Sequence, residues 1–201
     1  NDNLATNSVV AELLAGKVPV MSAADLYLNE HREYGLSTYS LHSDGSGVCY
    51  SSRLRPILNM RPKYRHWLSP SLWQLNADLH LTDWLEEKNI DFDVMTDEDL
   101  HVEGVDLLNR YQVVLTGSHP EYSSEKMLAA YESYQLNGGR WIYLGADGFY
   151  WISEYHPDNL NIIEVRKGEA GTRARTANPG EYNNAFDGKF GGMWRARGRI
   201  P

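Results

Sequence analysis

The apolar positions of this chain fall into short blocks whose spacing changes between the helical and the strand period. Residues 9–14 (Val9, Val10, Ala11, Glu12, Leu13, Leu14) carry a helical patch, and 18–21 then 24–28 continue it as an extended segment. Between 35 and 55, two strand-like runs flank Asp44-Gly45-Ser46-Gly47, which predicts a hairpin or ordered loop. Residues 56–62 read as a connecting strand or extended linker. Ser69-Pro70 then opens a helix, with Ser69 as its cap and Pro70 in the first turn, where its missing donor costs nothing. Leu72, Leu75, Leu79, Trp84 and Leu85 hold a 3.6-residue stripe as far as Lys88, so this helix is expected to lie against a sheet.

Residues 90–95 alternate as a strand, and the acidic stretch 96–100 closes it and caps a short helix near 104–109. A strand over 111–115 follows. The next helix is predicted over 123–137, with Met127, Leu128, Tyr131 and Tyr134 on one face and Gly138-Gly139 at its end. Residues 141–144 make another strand. Strand, helix, strand, helix, strand at these spacings predicts an α/β fold with a doubly wound, mostly parallel sheet, flavodoxin-like or class I glutamine-amidotransferase-like. Beyond Tyr155 a strand is read over 162–166. The Gly- and Arg-rich remainder to Pro201 is expected to fold back over the sheet as irregular loops and short strands. The organisation expected is an N-terminal segment and hairpin (1–66), the α/β core (67–155) and a Gly/Arg-rich extension packed on that core (156–201).

In such a sheet ligands bind at the carboxyl ends of the strands. The apolar run of 113–115 ends in Thr116-Gly117-Ser118-His119-Pro120-Glu121-Tyr122, which places His119 and Glu121 on either side of a proline of fixed φ. Amidotransferase chemistry needs a cysteine on a strand-to-helix elbow. The two loops read Gly117-Ser118-His119-Pro120 and Gly145-Ala146-Asp147-Gly148, and neither has one. Ser118 with His119 is a poor nucleophile and base, because adjacent side chains of an extended segment point apart. An oxygen-rich metal site is the stronger candidate. Glu121 is a hard anionic donor, tyrosines become phenolates beside a strong Lewis acid, and a phenolate pair points to ferric iron rather than zinc.

Charge and cysteine usage narrow the classes. With 27 acidic against 19 basic residues the net charge is −8, which argues against nucleic acid and anionic membranes as partners. The single cysteine, Cys49, excludes an internal disulfide and a Cys-rich zinc site. No stretch has the length of a membrane span, and Asn1-Asp2-Asn3 is unlike a signal peptide. A soluble, cytoplasmic protein is expected. Six tryptophans and thirteen tyrosines supply both packing and phenolic oxygens.

Several long motifs, in order, resemble the large (beta) subunit of N,N-dimethylformamidase. They are Gly35-Leu36-Ser37-Thr38-Tyr39, residues 42–48, Arg55-Pro56-Ile57-Leu58-Asn59-Met60-Arg61-Pro62, residues 115–122, Gly145-Ala146-Asp147-Gly148-Phe149-Tyr150-Trp151, and residues 165–174. The resemblance covers roughly residues 18–201. It implies an amidotransferase-like domain that holds mononuclear iron (Fe3+) on two tyrosines and a glutamate and hydrolyses a small tertiary amide to formate and a secondary amine. Carried over, Glu121 is the glutamate ligand, Tyr39 one tyrosine and Tyr27 the upstream tyrosine, with Tyr34 as fallback. His119 matches a histidine near the metal. Asp147 stands where relatives often have asparagine. The family continues past Pro201, including a glutamate thought to assist catalysis, so a fragment or a shortened relative is expected.

Each residue also has a plainer role. Tyr39 can be a packed aromatic, Glu121 a partner of the following helix dipole, His119 a structural hydrogen-bonder and Asp147 a turn cap. Phe149, Tyr150 and Trp151 can be core, Arg173 and Arg175 partners of acids or of a second subunit, and Cys49 an inert buried thiol. The resulting expectation is an iron-dependent amide hydrolase with a small amide substrate, a small second subunit and an oligomeric assembly. The alternative is a non-catalytic, partner-dependent binding or assembly domain of a larger enzyme.

Overall fold

The computed structural model describes residues 22–64, 72–168, 177 and 181–199. The helix read at 9–14, the Ser69-Pro70 helix start and Arg173 and Arg175 lie outside them. Helix α1 (Ala23–Glu30) opens on a reciprocal cap: Ser22 accepts from the Asp25 amide and Asp25 accepts from Ser22 N–H at 2.8 Å. The same buried carboxylate receives both arms of Arg61, at 2.9 and 2.7 Å, tying α1 to the 3-10 turn Leu58–Met60.

The turn signal at 44–47 closes a loop rather than two long strands. Asp44 accepts from Ser46 N–H and Oγ, and Leu41 bridges Gly47. Strand β1 (Tyr50–Ser52) then leaves to pair elsewhere.

Helix α2 (Leu75–Glu87) starts after Gln74, whose φ is +53°, without a side-chain cap. Its predicted apolar stripe is a correction: Leu75, Leu79 and Trp84 are exposed and only Asn76 and Leu85 are buried. Polar contacts dock it instead. Asn76 Nδ2 donates to Arg61 O at 3.1 Å and its Oδ1 accepts from Lys63 N–H, while Asp78 accepts from Ser118 N–H at 2.6 Å.

The strand predicted over 90–95 also needs correcting, since that segment joins no ladder among the described residues. Its alternation is met by side-chain packing alone. Met95 lies against the core, Tyr111 donates to Asp93 at 2.9 Å, and Ile90 and Val94 face outward. The short helix placed near 104–109 begins earlier, as α3 (Asp97–Glu103) with a Thr96/Asp99 capping box. It continues after Gly104 as α4 (Val105–Leu108).

Strand β2 (Val113–Leu115), the two-residue β3 (Tyr122–Ser123), helix α5 (Glu125–Leu136) and β4 (Arg140–Ile142) follow, with β2 parallel to β4. Leu100, Leu107, Leu108, Val114, Met127, Ala130 and Tyr134 make the core beneath them. Strand β5 (Trp151–Ile152) runs parallel to β3, in register Tyr122 to Trp151. Strands β6 (Glu154–His156) and β7 (Asn159–Glu164) form an antiparallel sheet with β1, β7 in the middle. The strand read at 162–166 is thus displaced toward the amino end.

The tail returns over the molecule. Met193 bridges Trp151, and Trp194 packs on Phe149 and Ile152. Arg197 reaches Asp187 at 3.0 Å and lies 3.6 and 3.9 Å from Glu125 and Glu154, and Lys189 also pairs with Glu125, so the Glu125–Glu154–Asp187 acid cluster already has cationic partners from the tail. Burial pushes the Glu154 carboxyl up to about 7.

His101 shows how the core bears on pH. It is 7 % exposed, its Nδ1 lies 2.7 Å from Ser124 Oγ at the cap of α5, and its ring is 4.5 Å from Tyr155. Burial, with Lys126 nearby, pushes its pKa from 6.5 down to about 4. The unfolded chain therefore takes up this proton first, so the stabilisation is complete above pH 6.5 and is lost as pH falls toward 4. Denaturation at about pH 7 and about pH 4.5 is expected to differ by ~2 kcal/mol from this group. His101→Gln is expected to remove that part of the slope.

Candidate metal centre

Two loops face each other where β2 and β4 end. Thr116 N–H donates to Ile142 O at 3.0 Å, and Leu144 N–H donates to Thr116 Oγ1 at 2.9 Å. Farther on, Ala146 N–H donates to Ser118 O, Phe149 N–H to Pro120 O, and Tyr150 and Trp151 N–H both to Glu121 O at 2.9 and 3.0 Å. The loop carrying His119 and Glu121 is thus stitched to the loop carrying Asp147. Asp147 itself sits at φ +49°, a left-handed position that aspartate tolerates better than most residues.

Their side chains converge. His119 Nε2 lies 3.2 Å from Glu121 Oε2 and 3.8 Å from Asp147 Oδ2. Both His119 and Glu121 are largely shielded, at 16 % and 12 % side-chain exposure, whereas Asp147 is open to solvent. The Glu121 bond raises the His119 pKa against the opposing effect of burial, and Asp147 adds to it. For Glu121 burial opposes the charge, but the His119 bond and the Lys167 ammonium hold its carboxyl below the usual range. An anionic oxygen is therefore maintained in a shielded place.

Tyr39 arrives from the other end of the chain. It lies in the Ser37–Ser40 turn, where Ser40 N–H donates to Ser37 O, and its hydroxyl donates to Glu121 Oε1 at 3.5 Å. The same hydroxyl meets that of Tyr122. Behind both lies Lys167, with no solvent exposure, its Nζ donating to Tyr122 at 2.7 Å and standing 3.1 Å from the Tyr39 ring centre and 4.8 Å from that of Trp151.

Of the residues singled out from sequence, Tyr39, His119, Glu121 and Asp147 come together and Tyr27 does not join them. Tyr27 is 51 % exposed and shares its hydroxyl with Tyr34 at 3.4 Å, its ring tilted against that of His31 with centroids 4.0 Å apart. The reason is local: positions four apart on α1 and the turn after it lie side by side, so Tyr27, His31 and Tyr34 satisfy one another. Tyr122 and Lys167 were missed. Tyr122 abuts Glu121 in the same motif, and Lys167 follows Arg166 just after β7, so nothing local in the sequence separates the buried cation from its neighbour.

The nucleophile readings find no geometry. Ser118 is held through its backbone by Asp78 and Ala146, with no hydroxyl bond to His119 among the described residues. Cys49 directs its thiol at Gly47 O, 3.6 Å away.

Comparison with known proteins decides the family. A family model described as N,N-dimethylformamidase beta subunit-like, C-terminal, matches residues 15–201. The chain belongs to the N,N-dimethylformamidase beta subunit-like family. It is 48 % identical over 200 residues to the N,N-dimethylformamidase beta subunit of Paracoccus aminophilus, and 46 % identical to that of Alcaligenes sp. In both alignments 99 % of this chain is covered but 26 % of the relative, so the chain spans about a quarter of the length of the relatives it matches. The family match thus includes every residue of the cluster just described. None of the helices among the described residues is long and apolar enough to cross a membrane.

The stitching of the two loops can be tested at Gly145. A Cβ there stands 2.1 Å from Pro120 Cδ, beside the backbone that carries His119 and Glu121. Gly145→Ala is expected to lower stability in chemical denaturation by about 1–3 kcal/mol through overpacking. A loss under about 0.5 kcal/mol, the size of an ordinary surface change, would mean that the loops slide past one another freely.

Proposed function

We propose that this chain carries the metal-binding part of an amide hydrolase acting on a small amide such as N,N-dimethylformamide, releasing formate and an amine, with mononuclear ferric iron as its cofactor. One observation carries the reading: the Tyr39 hydroxyl and the Glu121 carboxylate, 82 positions apart, meet at 3.5 Å in a shielded place with His119 on the carboxylate's second oxygen. The names of the relatives support the substrate, and their designation as beta subunits supports a second subunit and an oligomeric assembly. The parallel pairs β2–β4 and β3–β5, with α5 between them, support a doubly wound, amidotransferase-like sheet.

The donors suit the ion. A phenol and a carboxylate kept ionised are hard oxygen ligands, and among the described residues no thiolate or imidazole pair that favours zinc stands with them. Tyr39 and Glu121 would hold the ion. Bound there, ferric iron supplies Lewis acidity toward an amide carbonyl or a water. Hydrolysis replaces the C–N bond by a C–O bond and needs one proton at the leaving nitrogen. His119, with its Nε2 3.2 Å from Glu121 and 3.8 Å from Asp147, stands beside the two oxygens where it can hand a proton to the leaving nitrogen. Asp147, on the solvent side, steadies the charged imidazole. The aromatic ring of Trp73, 5.5 Å from that of His119, offers an apolar wall for methyl groups.

A second reading rests on α2, whose exposed Leu75, Leu79 and Trp84 suit contact with another chain: the domain is then an assembly module without a metal. Elemental analysis and the visible spectrum of the full-length protein separate the two. Near one iron per chain with a phenolate-to-iron charge-transfer band is expected. Tyr39→Phe is expected to abolish the band. Glu121→Gln should lower iron occupancy and cut activity at least ~100-fold, as when a metal's ligand field is broken. Tyr27→Phe should leave iron and colour unchanged. A colourless, metal-free protein with intact fold would overturn the hydrolase reading in favour of the module.

A further inference from the structure

We propose that Tyr122 is a positioning residue whose hydroxyl donates a hydrogen bond to the Tyr39 oxygen, in a direction set by Lys167, and so tempers how strongly Tyr39 donates electrons to the bound ion. The inference rests on the metal reading given above and assigns it a residue that supports a ligand.

The direction follows from what each group can do. An ammonium has three donors and no acceptor, so across the 2.7 Å contact it is Tyr122 that accepts from Lys167. The Tyr122 hydroxyl keeps its own proton to donate, and the Tyr39 oxygen is in hydrogen-bond contact with it. Tyr39 in turn donates to Glu121 Oε1. The series from Lys167 through Tyr122 and Tyr39 to Glu121 therefore runs one way, from a fixed cation to a carboxylate. When Tyr39 gives up its proton to ligate an ion, the Tyr122 hydroxyl is a donor that faces the phenolate.

The supports of this donor do not depend on an ion. Tyr122 sits in β3, paired in register with Trp151, and Lys167 is wholly buried against the Tyr39 and Trp151 rings. The strand pairing and the buried cation thus fix Tyr122 beside the Tyr39 oxygen through contacts of their own, which is what orienting a metal ligand requires. A hydrogen bond to a phenolate oxygen lowers its filled orbitals. The ion is left more electron-poor, and charge transfer from phenolate to ion takes more energy.

The test is the visible and resonance Raman spectrum of the full-length, iron-loaded protein with any partner subunit present, for the wild type, Tyr122→Phe and Tyr39→Phe. The expected result is that Tyr122→Phe retains near one iron per chain, unfolds at nearly the wild-type temperature, and shows its charge-transfer band at longer wavelength with a shifted phenolate C–O stretch. An unmoved band in Tyr122→Phe, alongside loss of the band in Tyr39→Phe, would overturn the proposal and leave the metal reading standing. Loss of both iron and band in Tyr122→Phe would overturn it too, by making Tyr122 a ligand. A wild type without iron or band would overturn both readings together. Should Tyr122→Phe not fold, Lys167→Met, which keeps the hydroxyl but removes the ammonium that orients it, is expected to move the band the same way, and an unmoved band there overturns the proposal.

Discussion

A buried ammonium is the constraint on which this site is built. Taking Lys167 out of water is costly by itself, and the cost is offset only where its charge meets π faces and oxygen lone pairs. Tyr39 and Trp151 supply the faces and Tyr122 the lone pair. Those three residues come from the Ser37–Ser40 turn, from β3 and from β5, so satisfying one cation draws together three segments that are far apart in sequence. The same charge steadies the Glu121 carboxylate against its own burial.

Around that point the backbone does the remaining work. The carbonyl of Glu121 accepts two amides, from Tyr150 and Trp151, which aims its side chain away from β5 toward His119 and Tyr39. Asp78 on α2 anchors the Gly117-Ser118 turn, and a side chain on Gly117 would meet that carboxylate at 3.1 Å. A helix thus docks through acids, amides and Leu85 while Leu75, Leu79 and Trp84 face outward.

The antiparallel sheet gives Lys167 its rigid base. Strand β7 is held on both sides, by β1 and by β6, and Val165 N–H continues the pairing to Cys49 O at 2.8 Å. Just before it, the wholly buried Glu164 accepts from Arg166 and from the amides of Ala185 and Phe186, which pins the returning tail. The tail's Met193 and Trp194 then close over Trp151 and Ile152. Packing from the far end of the chain therefore holds the aromatic wall of the site.

Local signals in the sequence were enough for the elements whose causes are local. The strand at 113–115, the helix that Ser124 caps and the turn at Asp44 each depend on residues within a few positions, and the loop after that strand brought His119 and Glu121 into the candidate site, whereas Tyr39 and Asp147 entered it through the family resemblance. What depends on partners could be settled only in three dimensions. The alternation at 90–95 is the same whether or not a neighbouring strand offers hydrogen bonds, and the stripe of α2 does not say whether a surface covers it. Tyr27 and Tyr122 are both tyrosines near a suitable motif; only the folded chain turns one toward Tyr34 and the other toward Tyr39. The physical reason is that periodicity and capping are set within a turn or two of chain, whereas a hydroxyl's partner is chosen by whatever the tertiary fold brings within about 3 Å of it.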